Sequence, residues 1–261
     1  MSYHAFFSFF MCDSGFHLYF HYVCDIIRIY FLFGVMVNLD LLHLNRAEAM
    51  RYMGYGNKQP DENVIRLIDE CETALLKSIK PRYTYKVFDI EKNENGISVK
   101  GTSLRFEGSD IKLHLSECDK CILLCATASI EADKIIRAYE TADMTKAVIT
   151  DCLASAAVEQ VCNQAELEIK KNLPDYNFTW RFSPGYGDFP LTIQPEFLKV
   201  LDAQKRIGLN CTESLILIPR KSVTAVIGIS KNKISKGKRG CVSCNMRDRC
   251  EYRKRGEHCG F

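Results

Sequence analysis

Nowhere in the chain do the roughly twenty uninterrupted apolar residues needed to span a membrane follow one another. The nearest approach is residues 1–35, which hold twelve of the 28 aromatic residues, but Asp13, His17, His21, Asp25 and Arg28 cut that stretch into short pieces. It also lacks the basic n-region and small-residue cleavage site of a signal peptide. Tryptophan is represented by Trp180 alone, and there are only seven prolines. The 13 cysteines lack the dense, regular spacing of a secreted disulfide scaffold, and their number is odd. This usage implies a mostly reduced, cytoplasmic chain, and the interrupted apolar stretch gives no reason to expect a membrane span.

What is present suffices for a sizeable core, with 47% hydrophobic content over 261 residues. The net charge of +3 is unevenly spread. From Lys231 onward there are ten Lys and Arg against three Asp and Glu, so the tail carries +7 and the remainder about −4. Three segments are expected: residues 1–35, a start-site extension or dispensable hydrophobic stretch; a folded domain over residues 36–230, opening at Met36-Val-Asn-Leu-Asp; and a basic, Cys-rich tail over residues 231–261.

The pattern within the domain mixes helices and strands. Helices are expected over residues 44–53, 60–79, 145–171 and 195–205, with a short one capped by Ser109-Asp110 and another capped by Ser129. Residues 83–90 alternate like a strand, turn at residues 93–96 and pair back through 97–99. The apolar run Cys121–Ala126 predicts a strand buried on both faces. Two further apolar runs, 211–218 and 222–229, predict a hairpin around Pro219-Arg-Lys221. In the long helix, Met144, Ala147, Val148, Ser155, Val158, Cys162 and Ala165 share one stripe that also contains Asp151. Asp151, Ser155 and Glu159 recur every four residues, so their side chains are neighbours. They suit either structural pairing or the cationic end of a ligand.

Residues 181–190, Arg-Phe-Ser-Pro-Gly-Tyr-Gly-Asp-Phe-Pro, cannot form a regular helix. Pro184 and Pro190 remove backbone donors, and Gly185 and Gly187 permit a close approach to a ligand. Arg181 offers a planar fork for a carboxylate, and Tyr186 a ring face with a hydroxyl tip. A proline-glycine surface turn would explain the same composition.

Arg181-Phe-Ser-Pro-Gly-Tyr186 resembles the Arg-x-x-x-Gly-Tyr segment of the S-adenosylmethionine-binding reactivation domain of cobalamin-dependent methionine synthase, typically Arg-Pro-Ala-Pro-Gly-Tyr. The resemblance extends in order. Asp151-Cys-Leu-Ala-Ser-Ala-Ala-Val-Glu159 is similar to that family's Ala-Asp-Arg-Leu-Ala-Glu-Ala-Phe-Ala-Glu helix. Residues 198–203 resemble its Leu-Leu-Asp segment. Gly208-Leu-Asn-Cys-Thr-Glu-Ser214 and Pro219-Arg-Lys-Ser-Val-Thr224 resemble its Thr-Glu-Ser and Ser-Val-Ser strands. Together these cover residues 144–228.

The resemblance implies an α+β, C-shaped domain with a twisted antiparallel sheet and flanking helices. It implies S-adenosylmethionine as ligand, with Arg181 on its carboxylate, the Ser183 and Gly185 backbone on its polar groups, and Tyr186 packed against it. Glu159 and Asp151 are implied secondary contacts, and Glu213 a lesser candidate. The implied role is reactivation, in trans, of a cobalamin-dependent methionine synthase or related corrinoid methyltransferase by reductive methylation. Its partners are the corrinoid protein, which carries the cobalamin, and an electron donor such as a flavodoxin or ferredoxin. The chain departs from the family in several places. It lacks an Asp-x-His-x-x-Gly cobalamin motif and the early Asp-Trp-Thr-Pro-Phe-Phe segment, its basic linker replaces the late Lys-Tyr-Phe, and Phe182 and Gly187 stand where Pro is usual.

In the tail, Cys241, Cys244, Cys250 and Cys259 follow the spacing C-x₂-C-x₅-C-x₈-C. Four thiolates suit an iron–sulfur cluster or tetrahedral zinc, although the second pair lacks the close spacing of a zinc ribbon. An alternative reading is therefore a metal- or iron–sulfur-binding docking protein for a corrinoid partner, without methyl transfer of its own. Nucleic-acid binding is not expected, because the basic tail has only Tyr252 and Phe261 among its charges.

Overall fold

Alternation along one strand divides the molecule into layers. The computed structural model describes residues 35–56, 58–94, 96–235, 248–249 and 251–254. In it, strand β5 (Lys120–Thr127) sits in mid-sheet. Its Ile122, Leu124 and Ala126 face one hydrophobic cluster, and Cys121, Leu123 and Cys125 face another. The expected two-sided burial of this run is what is found.

The seven-stranded sheet has the order β4-β3-β2-β5-β9-β6, with β1 beside β2. Its members are β1 (Val35–Asn38), β2 (Arg82–Asn93), β3 (Gly96–Val99), β4 (Arg105–Phe106), β5, β6 (Asn177–Phe178) and β9 (Ser222–Ser230). Every pairing is antiparallel. Thr84, Cys125 and Thr224 lie in register across β2, β5 and β9.

Helices α1 (Arg46–Tyr52), α2 (Glu62–Ser78), α4 (Ile130–Ala142) and α5 (Met144–Asn172) gather on one side. Asp61 starts α2 by accepting the Val64 N–H, and Asp143 starts α5 by accepting that of Lys146. At 29 residues, α5 runs about 43 Å. Its second half packs Val161, Cys162, Ala165 and Ile169 on the sheet, whereas Leu153, Ala154, Ala156 and Ala157 join a separate core with α1, α2 and α4. The single buried stripe expected for this helix is therefore wrong at its start. Met144 is 61% exposed and Val148 52% exposed, because the first turns lie beyond the sheet and mid-helix burial extends around more than one face. Among the described residues, no helix is long and apolar enough to cross a membrane.

The opposite side is covered by α3 (Ser109–His114), α6 (Gln194–Val200) and α7 (Ala203–Ile207), with Phe182 and Phe189 between them. The single helix expected over 195–205 is two, separated by Leu201 and Asp202, with Asp202 in the left-handed region at φ 52°. The run 211–218 is also not one strand. Thr212 accepts the Leu215 N–H on its carbonyl and the Ile216 N–H on its hydroxyl, folding β7 (Asn210–Cys211) against β8 (Leu217–Ile218) outside the main sheet. The mixed helix and antiparallel-sheet architecture is as expected; its hairpin lies within 210–218, not across Pro219.

Candidate functional site

The loop 181–190 leaves the sheet edge at three anchor points. First, Phe182 and Val226 exchange backbone hydrogen bonds of 2.9 and 2.8 Å, extending the edge that β6 begins on β9. No strand pairs with the outer edge of β9 over residues 222–224 among the described residues. Second, Arg181 reaches across to α5. Its Nη1 donates to Glu166 at 2.5 Å and Asn163 at 3.0 Å, and its Nη2 donates to Glu159 at 3.0 Å and Asn163 at 3.1 Å. Third, the Asp188 carboxylate accepts the Ser109 and Asp110 N–H groups at the start of α3. Those N–H donors, Asp110 first, hold its pKa below the ordinary carboxylate range.

Arg181 is consequently not the exposed loop residue that the proline-glycine composition suggested. Its side chain is 14% exposed, and both terminal nitrogens of its guanidinium are paired with α5. The sequence reading missed Asn163 and Glu166. Their signal was helical spacing, since 159, 163 and 166 succeed one another on one flank of α5.

Asp151 lies two turns earlier on the same helix and pairs with Lys221 at 2.8 Å; Lys221 also donates to Ser155 Oγ at 2.9 Å. Lys221 was missed as well, having been read only as part of a turn. Two cations, Lys221 and Arg181, thus meet the carboxylates of one helix flank, one at each side of the unpaired end of β9.

The rest of the loop is tightly turned. The Ser183 carbonyl accepts the Tyr186 N–H at 3.0 Å, and the Gly185 N–H donates to the Phe189 carbonyl at 2.8 Å. Gly185 has φ +93° and Gly187 φ +55°. A Cβ on Gly187 would sit 2.0 Å from Asp110 Oδ2, so this glycine answers the approach of α3. Tyr186 is 48% exposed and meets the Phe182 ring edge-on, with centroids 6.0 Å apart. Beneath it, His114 packs against Trp180 and Phe182 and shares a 2.8 Å hydrogen bond with Thr179 Oγ1. Burial pushes the His114 pKa down to about 4, only partly offset by a hydrogen bond to the Trp180 backbone.

The structure therefore brings Arg181, Glu159, Ser183, Gly185 and Tyr186 around one sheet edge, and places Asp151 nearby but already paired. Glu213 stands exposed in the β7–β8 turn. A cavity of about 590 Å³ opens elsewhere, lined by Lys86, Phe88, Thr102, Ser103, Glu196 and Lys199, none of them a candidate from the sequence. Cys241, Cys244, Cys250 and Cys259 lie outside the described residues. Among those described, no group of three or more His, Cys, Asp or Glu side chains is placed to hold a metal ion.

The fold belongs to a known α+β type. The crystal structure of the MetH reactivation domain bound to AdoHcy matches with a TM-score of 0.61, covering 86% of this chain and 86% of that one at 15% sequence identity. That likeness shows a shared fold. No protein-family model matches the sequence, and no curated protein matches it.

Proposed function

We propose that this chain binds S-adenosylmethionine at the Arg181 edge of the sheet and serves a cobalamin-dependent methionine synthase, or a related corrinoid methyltransferase, as a reactivation component acting in trans. The observation that carries the reading is a fold shared with a MetH reactivation domain bound to AdoHcy, together with an arginine fork and carboxylates beside the open end of β9. In this reading Arg181 takes the methionine carboxylate, the Ser183 and Gly185 backbone meets ligand polar groups, and Tyr186 packs on the ligand or on the corrin ring of the partner. Asp151 is a remote contact, because Lys221 already holds it.

Bound S-adenosylmethionine would supply the methyl group to the partner's reduced cobalamin as substrate, and an external donor would restore the electron lost on cobalt oxidation. The sulfonium is itself a good leaving group, so this chain's task is binding and orientation rather than proton transfer. Release of a neutral thioether completes the exchange. The four tail cysteines belong to the same proposal as ligands for an iron–sulfur cluster or zinc, which metal analysis of protein purified without oxygen tests directly.

The deciding experiment is calorimetric titration of S-adenosylmethionine into the protein. Saturable binding that weakens in Arg181→Ala supports the reading. No heat of binding up to millimolar ligand removes it.

A further inference from the structure

The two glutamates on Arg181 are not equivalent. Glu166 binds Nη1 at 2.5 Å and also pairs with Lys170 at 3.3 Å, so it has two cationic neighbours. Glu159 reaches Nη2 through one 3.0 Å contact, and its side chain is 41% exposed. Asn163 Oδ1 bridges both nitrogens, fixing the plane of the fork whichever carboxylate completes it. The exposed, singly bonded carboxylate is the one that another carboxylate displaces at least cost, since the new ion pair replaces the old and the deeper Glu166 contact stays.

Resting on the functional reading above, we infer that Glu159 is an exchangeable placeholder on Arg181, and that its release makes the site selective for a cationic amino-acid ligand. In the free protein Glu159 satisfies the outer half of the guanidinium. The α-carboxylate of the ligand takes that position. Glu159 is then a freed carboxylate within a side chain's reach of the bound molecule. Asp151 cannot compensate in either state, because Lys221 neutralises it, and Lys221 is engaged by Asp151 and Ser155. Among the described residues Arg181 is the cation that pairs with Glu159, so the new cation it meets is the one on the ligand. A sulfonium ligand carries one more positive charge than its thioether product, so Glu159 favours substrate and eases product release.

The test is a pair of calorimetric titrations, S-adenosylmethionine and S-adenosylhomocysteine, into the wild type, Glu159→Gln and Glu159→Asp. The wild type should prefer the sulfonium ligand, by about fivefold for one partly exposed charge pair. Glu159→Gln should bring the two dissociation constants together, tightening the thioether because no carboxylate competes for Arg181. Glu159→Asp, which keeps the charge, should keep the preference and controls for folding. An unchanged ratio in Glu159→Gln overturns the inference while leaving the functional reading intact. Failure of the wild type to bind either ligand overturns both.

Discussion

Asp110 and Asp188 hold each other's backbone. The Asp188 carboxylate accepts the Asp110 N–H at 2.9 Å, and the Asp110 carboxylate accepts the Asp188 N–H at 3.2 Å. This reciprocal pair ties the tip of the 181–190 loop to the start of α3 and leaves no room for a side chain at Gly187. The close approach and the left-handed φ of +55° act together there. Gly187→Ala should therefore cost about 1–3 kcal/mol of stability. Asp110→Ala should also destabilise the protein, by removing the acceptor of the Asp188 N–H, and leave Gly187 more tolerant of substitution, because the Asp110 carboxylate is what a Cβ there would meet. Urea unfolding of the two single variants and the double variant measures this; additive effects would show that the two residues do not share a contact.

Arg181 carries structural weight as well as the proposed ligand contact. Arg181→Ala leaves Glu159 and Glu166 facing an emptied position on α5, so stability should fall by about 1–3 kcal/mol in addition to any loss of ligand affinity. Arg181→Lys keeps the charge without the planar fork and should recover part of the stability but little of the binding. Differential scanning calorimetry beside ligand titration separates the two effects. A melting temperature unchanged in Arg181→Ala would contradict the described ion-pair network.

The partly buried imidazole of His114 gives a pH signature. Its folded pKa is lowered to about 4 from an ordinary 6.5, so the unfolded chain takes up the proton first as pH falls. Stability from this group is complete above about pH 6.5, declines through that window, and is fully lost below about pH 4, amounting to about 3 kcal/mol at most. His114→Gln, unable to titrate, should flatten the profile between those limits. Denaturant unfolding at half-unit pH steps decides it, and identical slopes in both proteins would refute the assignment.

Cysteine reactivity should follow the layers. Burial raises the thiol pKa of Cys118 to about 11 and of Cys162 to about 12, and lifts Cys121 and Cys125 well above the ordinary range. These four should resist alkylation at pH 8 until the protein unfolds. Peptide mass spectrometry after native labelling reads this out. Rapid modification of Cys125 would be incompatible with a β5 covered on both faces.

Much of the fold was legible from local chemistry. The Pro60-Asp61 helix start, the apolar run Cys121–Ala126 and the Gly-rich turns mark element boundaries because capping, burial and left-handed φ demand particular residue types at particular places. The failures have local explanations too. Asp202 looks permissive within a helix but adopts the left-handed conformation, and the Thr212 hydroxyl and carbonyl close a turn inside what reads as one apolar strand.

The sequence by itself determined the element types, the chemistry of the 181–190 loop and the helical spacing that aligns Glu159, Asn163 and Glu166. Only the tertiary structure decided that Arg181 spans from the sheet edge to those three side chains, that Lys221 neutralises Asp151, and that Gly187 and Asp188 serve α3. Each of these contacts joins residues far apart in the chain, from 15 positions for Arg181 and Glu166 to 79 for Asp188 and Ser109. Periodicity and propensity describe neighbours along the backbone. Ion pairing depends on distance in space, which is fixed only once the sheet has placed the edge of β9 beside the flank of α5.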